Sequence, residues 1–144
     1  MGFLSGMDIS ASGLTAQRLR MDVISENIAN VDTTRTVDGG PYTRKYVVLE
    51  ERKDNFSDVL KSSAEAGATG GVRVSEIGKD TSAYNLVYDP DNPDANADGY
   101  VQYPNVDMTQ EMTDMISAYR SYEANVTAFS AYKDMAVKTL EIGT

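Results

Sequence analysis

Apolar residues recur every seven positions near both ends of this 144-residue chain. Toward the N-terminus Met7, Leu14, Met21 and Ile28 keep that spacing strictly, with Phe3, Ile24 and Val31 on adjoining positions. Toward the C-terminus one row reads Met108, Met115, Tyr122, Phe129 and Ala136, and a second reads Met112, Tyr119, Val126, Lys133 and Leu140, broken only by Lys133. A sustained seven-residue apolar repeat is the seam of a helix that lies along another helix. The spacing predicts two long helices, one from about Leu4 to Val31 and one from Met108 to a stop at Gly143. At ~1.5 Å per residue they are about 40 Å and about 50 Å long, more than a compact domain uses. Ile9, Ala16 and Val23 add a second row to the first helix, wider than one partner needs, and that row is expected to stay open until a neighbour covers it. Gly13 costs the first helix roughly 1 kcal/mol relative to Ala, so that helix depends on packing.

The start of the last helix is well specified. Asp107 stands where an N-cap should, Gln110 follows three residues later to close a capping box, and Pro104 lies just upstream. Between the helices the period changes. Tyr42 to Glu50, Val72 to Ile77, Tyr84 to Tyr88 and Tyr100 to Tyr103 read as short strands of a small antiparallel unit. Val37 to Pro41, Ala66 to Gly71 and Asp89 to Gly99 read as turns, linker and polar loop, and Asn55 to Ala66 as a short helix. The chain is thus expected to be mainly α with a β insert: residues 1–34 and 107–144 as terminal helices, 35–106 as a β-rich middle. All six methionines after the first residue lie in the terminal segments. Such flexible side chains suit surfaces that meet several different neighbours.

Composition removes most chemistry. The chain has no His and no Cys, which takes away the commonest general base, the commonest zinc ligands and every thiol nucleophile. Thirteen Lys+Arg against 22 Asp+Glu give a formal charge of −9, the wrong sign for nucleic acid, and no basic stripe offsets it. No apolar run reaches the ~20 residues that span a bilayer, and the first ten residues lack the basic and apolar regions of a secretory signal. Asp94, Asn96, Asp98 and Gly99 match the opening of a calcium loop. The twelfth position, which should supply a bidentate Glu, is Asn105, and no helix enters the loop, so an Asx-rich turn is expected in its place. Arg44 and Lys45 beside Tyr42 and Tyr46 read as an edge strand protected by charge. No catalytic group and no cofactor or metal site is expected.

Four stretches carry polar identities as well as apolar spacing. Ser12 to Thr34 (SGLTAQRLRMDVISENIANVDTT), with Asn27, Ile28, Ala29 and Asn30 at its core, resembles the N-terminal signature of the flagellar rod and hook protein family. Val87 to Val106 (VYDPDNPDANADGYVQYPNV), Arg120 to Asn125 (RSYEAN) and Pro41 to Lys45 (PYTRK) are similar to the middle and C-terminal patterns of rod members of that family. The resemblance implies a non-catalytic subunit of the proximal rod, the drive-shaft segment that crosses the periplasm in the basal body. It implies export without a cleaved signal by the flagellar type III apparatus and helical assembly with copies of itself. Other rod proteins and the basal-body protein that joins rod to membrane ring are the further partners implied. It also implies that the terminal helices pair as a coiled coil in the inner layer, with the middle outside. Another rod or hook subunit and a calcium-responsive binding module are the alternatives.

On this reading the assembly interface is expected on Met7, Leu14, Met21, Ile24, Asn27, Ile28 and Asn30 of the first helix. On the last helix it is expected on Met108, Met112, Met115, Tyr119, Tyr122, Val126, Phe129 and Leu140. Asn27 and Asn30 are either buried amides that fix register or capping asparagines that end the helix.

Overall fold

A computed structural model describes residues 3–37, 39–52 and 70–142. Helix α1 (Phe3–Ala29) is followed by strands β1 (Lys45–Glu51), β2 (Val72–Lys79), β3 (Asn85–Tyr88) and β4 (Tyr100–Tyr103), and then by helix α2 (Met108–Ile142). The expected helix over Asn55 to Ala66, most of the linker Ala66 to Gly71 and the stop at Gly143 lie outside the described residues. The other expected elements are present, and the strands form two separate two-stranded antiparallel sheets, β1–β2 and β3–β4. None of the described helices is long and apolar enough to cross a membrane.

The two helices pack side by side in opposite directions. Asn27 of α1 meets Glu111 of α2, Arg20 meets Asp114, and farther along Gly13 meets Asn125 and Gly6 meets Tyr132. Glycine permits the close approach at the far end: a Cβ on Gly6 would stand 2.6 Å from the Tyr132 ring. One on Gly13 would stand 3.0 Å from the Asn125 amide. The residues along the contact are therefore small or polar (Ser10, Gly13 and Asn27 on α1; Glu111 and Ala118 on α2), with Ile24 the one large aliphatic among them, and all of these are buried.

Sheet β1–β2 lies along α1 and runs back toward its start. Lys45 sits beside Asn27, while the backbone N–H of Val72 donates to Ser12 Oγ at 3.0 Å. That close approach is made where Gly71 holds φ at +118°, and a Cβ there would meet Ser12 Oγ at 2.7 Å. A bulge between Val48 and Leu49 shifts the register by one, so Val74 and Ile77 share a face with Leu49 and Val47 despite being three apart. The sheet changes one expectation. Ala16 and Val23, in the row expected to stay open, are 2% and 6% exposed. The chain's own β1–β2 occupies that side of α1, with Val23, Val47 and Leu49 lining one shared cleft.

Asp107 caps α2 as expected: its Oδ1 accepts from the N–H groups of Thr109 at 2.8 Å and Gln110 at 3.3 Å. The reciprocal half of the capping box is not made. Gln110 Nε2 donates forward to Asp114 Oδ2 at 3.3 Å, one turn along the helix.

Candidate assembly surface and the polar hub beneath it

The buried side of the helix pair is organised around one amide. Asn27 is fully buried and uses its side chain four times. Its Nδ2 donates to Lys45 O at 2.8 Å and to Glu111 Oε2 at 3.0 Å, and its Oδ1 accepts from Tyr42 OH at 2.9 Å and from Lys45 N at 3.0 Å. That satisfies every donor and acceptor of the group. Asn30, one turn on, is local: Nδ2 donates to Glu26 O and Oδ1 accepts from Thr33 Oγ1. One asparagine is thus a buried cross-element tie and the other finishes the helix.

Glu111 is fully buried as well, and Arg44 Nε donates to its Oε1 at 2.6 Å. The same guanidinium lies 3.7 Å from Asp80 and 3.8 Å from Asp114, while the Arg44 N–H donates to Asn105 Oδ1 at 2.9 Å. Lys45 pairs with Glu26 and stands 5.7 Å from the centre of the Tyr42 ring. The only basic and aromatic cluster in the sequence is therefore no free charged edge. It joins α1, β1 and the start of α2. Hydrogen bonds from the backbone and side chain of Ser82, and then the nearby Arg44, hold the Asp80 carboxyl below its usual range against some desolvation.

Burial, and then the carboxylates of Glu26 and Glu111, push the Tyr42 hydroxyl up from 10.0 to about 12. A folded-state value raised in this way contributes stability in full below 10 and loses it as pH rises toward 12. Denaturant titrations from pH 9 upward should show stability falling across that interval, with the fall flattened in Tyr42→Phe. An equal slope in both proteins would mean that Tyr42 does not titrate there.

Over the hub lies an apolar surface. At about 100° per residue, Met7, Leu14, Met21 and Ile28 on α1 and Met112, Tyr119 and Val126 on α2 fall to the same side of the helix contact. Sheet β1–β2 occupies the opposite side. Ile24 and Asn27 are buried within the chain, while Met7, Leu14, Met21, Ile28, Asn30, Met115, Tyr122 and Phe129 are half-buried. Met108, Met112, Tyr119, Val126 and Leu140 are exposed, Met112 and Tyr119 by 52% and 57%. Ile116 and Val137 extend this exposed stripe. A row of large apolar side chains left in water along one helix marks a contact surface.

Glu111, Ile116 and Val137 were not among the residues the sequence singled out, and Arg44 and Tyr42 were read there as part of a charge-protected edge strand. Positions 111, 118, 125 and 132 keep seven-residue spacing, but they read Glu, Ala, Asn, Tyr, and hydropathy passes over them. The calcium-loop match resolves into a turn. Asp94 Oδ2 accepts from Thr34 Oγ1 at 2.8 Å and its Oδ1 lies 3.7 Å from Arg35. Asn96 Oδ1 accepts from the N–H groups of Asp98 and Tyr100. No cluster of three acidic side chains able to hold a metal occurs among the described residues.

Two family models match the two ends of the chain. The one described as flagella basal body rod protein covers residues 7–35, and that of the flagellar basal body rod FlgEFG protein C-terminal covers residues 97–142. Both place the chain among the rod proteins of the flagellar basal body. Curated relatives narrow this further. It is 57% identical to the flagellar basal-body rod protein FlgC of Bacillus subtilis, over 95% of each chain. It is 46% identical to that of Borreliella burgdorferi and 42% identical to that of Escherichia coli O6:H1, over 98–99% of each chain. The chain belongs to the FlgC family of flagellar basal-body rod proteins. It is a structural rod protein of the basal body, and neither the family models nor these relatives carry a catalytic description.

Proposed function

We propose that the protein is a building block of the proximal rod that is completed only by its neighbours. The observation carrying this reading is the exposed apolar stripe of α2, continued by the half-buried row of α1 on the same side. Residues 1–34 and 107–144 form a coiled-coil layer that meets adjacent subunits through Met7, Leu14, Met21, Ile28, Met108, Met112, Met115, Tyr119, Tyr122, Val126, Phe129 and Leu140. Residues 35–106 form the outer part. Ile24 and Asn27 act from within, holding the two helices in the register that brings both apolar rows to one side, and Asn30 finishes α1.

Contacts of this kind pair different patches of successive subunits. Where the rotation between them does not close, a helical array results. Such an array transmits torque because each subunit is clamped by packed helices on more than one side. Copies of this chain, other rod proteins and the protein that joins rod to membrane ring are the partners, and the flagellar type III apparatus delivers the chain. Methionines on both helices let one sequence pack against unlike neighbours. Electron cryo-microscopy of isolated basal bodies with this subunit traced tests the reading. The expected result is α1 and α2 in the inner layer with Met112 and Tyr119 covered by another chain. Helices traced on the outside of the rod would overturn it.

A further inference from the structure

The β3–β4 hairpin is held to the chain through Val101 of β4, and all of β3 is exposed. Val87, Val101, Asn85 and Tyr103 share a face by strand alternation; on it Val101 is 0% exposed while Val87 and Asn85 are exposed, so the chain covers the β4 half of that side. The other side carries Leu86 at 61%, Tyr88 at 64% and Tyr100 at 43% exposure. The Tyr88 and Tyr100 rings meet edge to face with centroids 5.3 Å apart, which packs them as one aromatic pair with two hydroxyls. Tyr100 also forms part of a cleft of about 340 Å³ whose other lining includes Arg35 and Pro41. A sheet of only two strands is marginal in water, and a wet aromatic face adds to that.

Just past the tyrosine pair, residues 89–99 present carboxylates on a fixed loop. Asn96 Oδ1 and Asn92 Oδ1 accept backbone N–H groups within the loop, and Gly99 O accepts from the N–H of Asp89. Asp94 is paired with Arg35. Among the described residues Asp89, Asp91 and Asp98 have no cation at ion-pair distance. We propose that this aromatic face and its acidic rim dock a cationic, apolar-bearing surface of a chain other than this one. A second copy, at formal charge −9, is a poor complement for this rim. Aliphatic groups or a guanidinium lie against the tyrosine pair, and Lys or Arg side chains at the edge meet Asp91 and Asp98.

The proposal rests on the rod-subunit reading but concerns a different surface, and the two are tested separately. The full-length protein is expressed in flagellated cells with photoreactive p-benzoylphenylalanine in place of Tyr88, or of Met112, and basal bodies are irradiated. Position 88 is expected to link to a different kind of chain, on a peptide of net positive charge by mass spectrometry. Asp91→Lys with Asp98→Lys is expected to cut that yield several-fold while leaving the product at position 112 unchanged. A product at 88 with a copy of this chain, or on an acidic peptide, overturns the proposal. Linking at 112 with none at 88 overturns the hairpin surface alone, and failure at both positions overturns the rod-subunit reading as well.

Discussion

Arg44→Ala is expected to lower the stability of the folded subunit by about 3 kcal/mol, read from the urea midpoint of the purified protein. Glu111 is 0% exposed, and Arg44 is the cation within ion-pair distance of it among the described residues. Without it the buried carboxylate keeps, among the described residues, only the Asn27 amide. Breaking a buried pair costs about 3–5 kcal/mol, and the lower end applies because Arg44 itself retains 23% exposure. Against the ~5–15 kcal/mol that hold a typical domain, that is a large share. Adding Glu111→Gln removes the stranded charge and should return about 1–3 kcal/mol. A loss under about 1 kcal/mol in the single variant would mean that the hub contributes little.

Met112→Asp together with Tyr119→Asp should do the reverse, sparing the subunit and abolishing the rod. Both side chains are more than half exposed, so the isolated protein should melt within about 0.5 kcal/mol of the parent. In the rod the same positions are proposed to be covered by a neighbour. Two carboxylates would then be buried without partners at several kcal/mol each. At 1.4 kcal/mol per tenfold, association falls at least about a thousandfold, and swimming in a complemented strain should cease. Normal motility with this pair in place would show that the stripe faces solvent in the rod.

How far these features could be read from the sequence differs from one to the next. The seven-residue rows located both helices to within a few residues, because an apolar stripe at helical period has few other uses. Strand positions followed from β-branched and aromatic runs, although two sheets formed where one unit was expected. Which stripe meets which neighbour was not legible. The contact between α1 and α2 runs through Gly6, Gly13 and Ala118, chosen for close approach, and through Asn27 and Glu111, chosen for hydrogen bonding. Hydropathy ranks all of these below Met112 and Tyr119, which stay in water. The Ile9, Ala16 and Val23 row could not be assigned to β1–β2, because the pairing of Lys45 with Lys79 depends on residues 34 positions apart. Asn27 was legible as either a buried amide or a helix cap, and the sequence did not decide between the two. Its partners Tyr42, Lys45 and Glu111 lie 15, 18 and 84 positions away.

The central claim is that the stripe of α2 is open in the lone subunit and covered in the rod. Methionine oxidation measures this directly, since the rate of sulfoxide formation follows exposure of the sulfur. Met112 should oxidise readily in the purified folded subunit and be strongly protected in isolated basal bodies treated in the same way. Equal oxidation of Met112 in the two samples would contradict it.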